Sequence, residues 1–222
     1  MRVSRVIGAV IGVFMLAAAV PAAAQSVPAG SAPASKIEIG VLGGLSSVQN
    51  VGGLAGGQIA FRATPIVHLV AEGMWMQDAV TRAQLSAATG FGAYFSALRG
   101  KTAVVTLNAP ATYGGAGLRV LIPTQSSVHP YAAVGAGMAK VAKQAKITLD
   151  GTDITSQLAS YGVTLGSDLN GDVTKLAITG GLGVLIDRAK LSFDLGVHLT
   201  SIQTDGQKTN ALRGQIGISY KF

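Results

Sequence analysis

LRGQIGISYKF, residues 212–222, reads as a β-strand with two unlike faces. Leu212, Gly214, Ile216, Ile218, Tyr220 and Phe222 fall on one parity, and Arg213, Gln215, Gly217, Ser219 and Lys221 on the other. That period of two places every apolar side chain of the stretch on one side of a sheet and every charge on the other. Two aromatic residues of the apolar parity close it.

Working back from this strand, the same alternation recurs from Lys36 onward. It predicts eight strands, at about 36–46, 55–64, 66–76, 111–122, 128–140, 174–186, 189–201 and 210–222. One parity is free of charge throughout, as in Ile37, Ile39 and Val41, Leu118, Val120 and Ile122, or Leu191, Phe193, Leu195, Val197 and Leu199. The other holds Lys36, Glu38, Arg62, His68, Glu72, Arg119, Lys175, Lys190, Asp194, His198, Arg213 and Lys221.

Alternation does not say which face points outward. A soluble sandwich or a lipocalin-like barrel would turn the apolar parity inward. Three features favour the inverse, a barrel with apolar residues toward lipid: the terminal aromatic, the aromatic residues Trp75, Tyr220 and Phe222 near strand ends, and the unequal connections. Thr64-Pro65, Pro123 to Ser127 and Asp187-Arg188 read as tight turns, and the alternate connections as longer segments, two of roughly thirty residues or more. The expected fold is therefore all-β, an eight-stranded antiparallel transmembrane β-barrel with short helices in its external loops. Phe91, Tyr94, Phe95 and Leu98 at helical spacing, with Gly100 as a C-cap, predict a helix over about 80–99, against which Gly90 and Gly92 count. A shorter helix is expected from Asp153 to Tyr161, and Lys140 to Leu149 as an extension of the fifth strand beyond the membrane.

The start of the sequence agrees with export. Arg2 and Arg5 precede an apolar run from Val6 to Val20, then Pro21 and Ala22 to Ala24. This pattern predicts a signal peptide over 1–24, cleaved before Gln25; the apolar run is shorter than the roughly 20 residues of a membrane-spanning helix. Residues 25–35 (QSVPAGSAPAS) have linker composition, and 36–222 form the barrel domain. Of 222 residues 30 are Gly and none is Cys, and 12% are charged. An exported chain without cysteine has no disulfide scaffold, thiolate metal site or cysteine nucleophile. The net charge of +7 falls to +5 once Arg2 and Arg5 are removed, with 15 basic residues left against 10 acidic. These basic residues form no dense run and do not interleave with aromatics, which argues against nucleic-acid binding.

An eight-strand interior is just wide enough for side chains to fill. Glu38, Glu72 and Asp194 against Arg62, Arg119 and Arg213 balance in sign, so they are expected to pair as an ion network across the lumen. Such a network plugs the barrel or gates an ion path, and the filled interior favours the plug. No enzyme is expected. Ser192, Asp194 and His198 share a face, but at about 3.4 Å per residue Ser192 and His198 lie some 20 Å apart. Asp168, Asn170 and Asp172 imitate the start of a calcium loop, but the glycine comes early and no acid closes the motif, which reads as a turn. His68 and Glu72 are about 13 Å apart by rise, too far to share a metal. No cofactor is expected. Lys140, Lys143 and Lys146, with Arg82, Arg99, Lys101 and Lys208, make the external side basic, either as contacts to lipopolysaccharide phosphates or as solvated surface charges.

The terminal strand LRGQIGISYKF, TYGGAGLRVLIP before a Pro turn and HPYAAVGAGM after it resemble the small OmpA-like outer-membrane β-barrel family over about 36–222. The resemblance implies an eight-strand barrel with roles ranging from envelope integrity to adhesion and small-solute passage. It also implies outer-membrane localisation with both termini periplasmic, and contact between the barrel-assembly machinery and Tyr220 and Phe222. Nothing follows Phe222, so no peptidoglycan-binding domain is expected. The function expected is a structural or interaction role in the envelope, with outer-membrane lipid and lipopolysaccharide as partners and a monomeric state; the alternative is a narrow channel for ions or very small solutes.

Overall fold

Backbone hydrogen bonds must all be satisfied inside a bilayer, and a sheet does so only by closing on itself. In the computed structural model, which describes residues 36–167, 169–204 and 207–222, the sheet does close. The expected signal peptide and linker, 1–24 and 25–35, and Asp168 lie outside the described residues, as does the side chain of Lys208. The strands are β1 (Ile37–Ser47), β2 (Val51–Arg62), β3 (Val67–Met76), β4 (Ala103–Asn108), β5 (Ala111–Leu121), β6 (Val128–Leu149), β7 (Thr152–Asp153), β8 (Gly171–Arg188), β9 (Leu191–Thr204) and β10 (Gln207–Lys221). Eight of them form an antiparallel ring in the order β1, β2, β3, β5, β6, β8, β9, β10. The ring shuts where β1 pairs β10, from Glu38 opposite Lys221 to Ser47 opposite Leu212.

Outside this ring the exposed side chains are apolar. Ile37, Ile39, Val41, Ile59, Leu69, Leu118, Val134, Leu195, Val197 and Ile216 all point away from the lumen. So large an apolar surface fits lipid and not water. Phe61, Phe193, Tyr220 and Phe222 are exposed at the short-turn end, the Tyr220 and Phe222 rings packing edge to face at 4.9 Å, while Trp75 is exposed at the loop end. The chain is an eight-stranded antiparallel transmembrane β-barrel.

Above the loop end the chain builds a second packed structure. β6 runs 22 residues, and its last six pair with β4 from Ala103 opposite Leu149 to Asn108 opposite Gln144. β4 holds the same register on β6 as β5 does below it, with Ala109-Pro110 as the break. Asp150 (φ 48°) and Gly151 (φ 82°) turn the chain into β7, since two successive left-handed residues match the twist of a two-residue hairpin. Helix α1 (Arg82–Arg99) starts in a capping box of Thr81 and Gln84 and ends on Gly100 in the left-handed conformation. It buries Ala88, Gly92 and Phe95. A Cβ at Gly92 would come within 3.3 Å of the Ala103 carbonyl oxygen, so the glycine that weakens the helix as a propensity is what lets β4 lie close to it. A 3-10 helix, Thr155–Tyr161, completes a core of Phe95, Ile147, Leu149, Ile154 and Leu158, with Phe91 and Tyr161 against it.

Several sequence expectations shift. β2 begins at Val51, not near 55, because Gly52, Gly53, Gly56 and Gly57 hide its alternation, and the connection from β1 is thus only residues 48–50. The β8–β9 turn is Ala189-Lys190, with Ala189 at φ 46°, and Asp187-Arg188 still belong to the strand. The helix expected from Asp153 starts at Thr155 as a 3-10 turn, Asp153 itself being strand. β4 falls where a loop is expected.

Candidate functional site

The lumen gathers the chain's buried charge. Of the six residues expected there, each pairs with one other. Arg62 Nη2 lies 3.4 Å from Glu38 Oε1, Arg119 Nη2 lies 2.6 Å from Asp194 Oδ2, and Arg213 Nη2 lies 3.2 Å from Glu72 Oε1. These pairs form three tiers.

The tier at the short-turn end converges on Asp187. Its carboxylate accepts from Lys221 Nζ at 2.7 Å and from Ser192 Oγ at 2.8 Å, with Arg62 Nη2 at 3.8 Å. In the middle tier Asp194 accepts from Arg119 and from the Tyr131 hydroxyl at 2.6 Å. Arg119 also donates to Gln58 Oε1 at 3.0 Å, its guanidinium lies over the Tyr131 ring at 4.7 Å, and Gln58 Nε2 donates to Ser219 Oγ at 3.2 Å. In the third tier Arg213 donates to Glu72 and, at 3.0 Å, to Thr179 Oγ1; its Nη1 contacts Met74 Sδ, and the guanidinium lies 5.4 Å from the Tyr113 ring centre. Arg62, Arg119, Arg213 and Lys221 balance Glu38, Glu72, Asp187 and Asp194, so the three tiers together carry no net charge.

Glycines on the lumen parity make room for the large rings. A Cβ at Gly196 would lie 2.6 Å from the Tyr131 hydroxyl, and one at Gly115 would lie 2.7 Å from Tyr113 Cζ. Gly181 gives way to the His198 ring and Gly183 to Tyr131 in the same manner. These four glycines are therefore partners of aromatic rings, whereas Gly40 and Gly56 on the same parity lie against Ser219 and Met74.

Beyond the third tier the lumen turns apolar. Leu54, Met74, Met76, Tyr113, Val141 and Ile202 pack together across it, Ala79, Val80 and Ala109 join them from the segments that lead into and out of the loop structure, and Leu42 carries the cluster down to Gly217 beside Asp194. On the near side of this layer a cavity of about 30 Å³ lies among Glu72, Tyr113, Arg119, Thr179 and His198, room for roughly two waters. Buried polar atoms without a protein partner cluster there and below. Both ring nitrogens of His68, both amide atoms of Gln215, Nε and Nη1 of Arg119, Nε of Arg213 and the Tyr113 hydroxyl have none among the described residues. In a dry interior each would cost about 1–3 kcal/mol.

The other sequence candidates disperse. Ser192 is bonded to Asp187, Asp194 is taken up by Arg119 and Tyr131, and His198 Nε2 lies 3.5 Å from the Tyr131 hydroxyl. Ser192 and His198 thus have separate partners. Outside the barrel Lys140 pairs with Asp172 at 2.7 Å, Lys146 with Asp153 at 3.4 Å, and Lys143 donates to the Ser167 carbonyl. Each of the three lysines already has an acceptor from its own chain. Arg99 lies over the rings of Phe95 and Tyr161, and Lys101 is 3.8 Å from Asp150. Among the described residues no three His, Asp or Glu side chains converge as a metal site.

Sequence reasoning missed Asp187, Tyr131, Gln58 and Thr179 as partners of the charges, and it missed the apolar layer. Glycines on the lumen parity of β5, β8 and β9 were the available signal for Tyr113 and Tyr131.

No family model and no curated protein matches this sequence. Solved structures match it in fold. Neisserial surface protein A is 12% identical, with a TM-score of 0.51, over 84% of this chain and 96% of that one. OprG of Pseudomonas aeruginosa is 12% identical with a TM-score of 0.47, over 85% and 97%. Ail, the attachment invasion locus protein of Yersinia pestis, is 12% identical with a TM-score of 0.46, over 85% and 97%. The architecture is that of the small outer-membrane barrels.

Proposed function

We propose that this chain is an outer-membrane protein whose barrel is an anchor rather than a pathway, and that it acts through the folded structure above its loop end. The observation that carries this reading is the apolar layer of Leu54, Met76, Val141 and Ile202, which lies between the third ion pair and the loop end. A narrow channel for ions or small solutes would need an unbroken polar path, and this layer interrupts it.

The structure above the barrel is what remains to do work. Phe95 and Ile147 are fully buried in it, so α1, β4, β7 and the upper part of β6 hold a fixed surface and do not behave as a disordered fringe. The role is structural or interactive: it stabilises the membrane and presents that surface to lipopolysaccharide or to neighbouring surfaces. Lys140, Lys143 and Lys146 are weak candidates for phosphate contact, because their charges are already engaged. The termini lie on the periplasmic side, and Tyr220 and Phe222, exposed at the end of β10, are the groups the barrel-assembly machinery would meet. The barrel is read as a monomer, and closure of the ring supports this by removing the free strand edge through which two sheets would join.

The test is a barrel in which residues 78–109 are replaced by a short turn, displayed on cells beside the intact protein. The reading expects the trimmed barrel to insert and resist heat, and surface attachment or lipopolysaccharide binding to be lost. Retention of both activities by the trimmed barrel would contradict it.

A further inference from the structure

Among the described residues, eleven buried side-chain nitrogen and oxygen atoms lack a hydrogen-bond partner, and all of them belong to residues that face the lumen. They are spread from Glu38 and Arg62 near the short-turn end, through His68 and Arg119, to Gln215, Arg213, Tyr113 and Ser46, the last opposite Arg213 across β1 and β10. None belongs to the structure above the barrel. Side-chain exposure is greatest in the first tier, where Arg62 and Asp187 are 20% and 22% exposed; Arg119 and Asp194 are 3% and 1%, and Arg213 and Glu72 are 1% and 11%. Solvent therefore reaches the first tier from the short-turn end.

The chemistry of these atoms says what binds them. His68 and Gln215 each present a donor and an acceptor, Arg119 and Arg213 present only donors, and Glu38 presents an acceptor. Water both donates and accepts, so it can satisfy every one of these points. The balanced charge of the three tiers gives an ion nothing to neutralise. At the other end the series stops: Arg213 sits against Met74 and Tyr113, and beyond them the lumen is lined by Leu54, Met76, Val141 and Ile202.

We propose that the lumen is a one-ended hydration chamber, in which water enters at the short-turn end, binds along these polar atoms as far as Gln215 and Arg213, and is stopped by the apolar layer. The block to passage is then the apolar layer and not the ion pairs. This inference rests on the same closing layer as the anchor reading, but adds a hydrated interior that the anchor reading does not require.

The chain has no cysteine, so a single introduced thiol reports without background. Gln215→Cys places one in the chamber, and Ala177→Cys places one in the apolar layer. Each barrel is inserted in one orientation into liposomes, silver ion is added to one side, and the free thiols left are counted after unfolding. The expected result is that Gln215→Cys loses its thiol at least tenfold faster with silver at the short-turn side than at the loop side. Ala177→Cys stays protected from both. Adding Leu54→Ala and Met76→Ala to Gln215→Cys should open the loop side. Should Gln215→Cys fail to fold, as judged by heat-dependent gel migration, Ser219→Cys takes its place.

Protection of the chamber thiol from both sides would overturn the chamber and leave the anchor reading standing. Equal loss from both sides, or reaction at Ala177→Cys, would overturn the closing layer and both readings with it. A loop side still closed after the double alanine change would show that something other than this layer blocks it.

Discussion

Arg119 Nη2 and Asp194 Oδ2 meet 2.6 Å apart and join β5 to β9, two strands that share no backbone ladder. A bond across the lumen braces the ring against collapse in a way the sheet itself does not. Both side chains are almost wholly buried, so solvent does little to screen the pair. Arg119→Ala leaves the buried Asp194 charge with only the Tyr131 hydroxyl and should lower the unfolding free energy by about 3–5 kcal/mol, the usual cost of breaking a buried ion pair from one side. Arg119→Met with Asp194→Leu removes both charges and should recover most of that loss. Urea titration of the refolded barrel in lipid, followed by tryptophan fluorescence, measures both, and an unchanged single variant would contradict the bracing role.

Glycines on the two faces of the sheet should respond oppositely. Gly183→Ala drives a methyl group into the Tyr131 ring and the Leu195 carbonyl, a clash that should cost roughly 1–3 kcal/mol by forcing Tyr131 off Asp194. Gly214→Ala meets no atom within 4 Å and adds a methyl group to the lipid face, so it should be neutral or slightly stabilising. The same urea titration compares them; equal effects at the two positions would mean the rings are not seated on the glycines.

The sole tryptophan, Trp75, is exposed on the lipid face at the loop end of β3. Its emission should be blue-shifted in liposomes and quenched by lipids brominated high on the acyl chain, more than by lipids brominated near the chain end. Emission typical of an aqueous indole would move the loop-side membrane boundary below Trp75.

Acid should reach one loop turn late. The Asp153 carboxylate accepts from the Thr155 backbone N–H at 2.9 Å and its hydroxyl at 2.7 Å, and these bonds, with Lys146 beside it, hold its pKa below the ordinary value of 3.8. A depressed folded-state pKa gives stability that is present above the unfolded value and lost as pH falls through the folded one. The Asp153 to Thr155 turn should thus persist through the usual carboxylate range. Titration of the Asp153 carboxyl carbon by NMR should give a midpoint under 3.8, and a midpoint at or above it would mean that the turn bonds are absent.

How much of this was legible in the sequence varied with the physics of each part. Strand faces were readable because one choice of parity has to satisfy every residue of a strand, and Ile37, Ile39 and Val41 leave no second choice. β2 was misplaced where consecutive glycines carry no side-chain pattern. The spacing of Phe91, Tyr94, Phe95 and Leu98 located α1 but not its buried face: Phe95 is buried with Ala88 and Gly92, while Tyr94 and Leu98 are exposed. β4 was hidden because its pairing partner is an extension of β6, and nothing local marks a strand that depends on a distant one. The six lumen charges were visible as types, but their pairing was not, since which Arg meets which acid depends on strand register around the ring. The apolar layer was obscured for a related reason, as Leu54, Met76, Val141 and Ile202 converge from four strands and are scattered in sequence.

Single-channel recording of the refolded wild-type barrel in a planar bilayer, once heat-dependent gel migration has established that it is folded, tests the closed lumen most directly. A silent membrane is the predicted result, with discrete steps appearing when Leu54 and Met76 are both replaced by Ala. Steady openings of the wild-type protein that shift on changing Arg119 or Glu72 would contradict it and make the lumen a gated path.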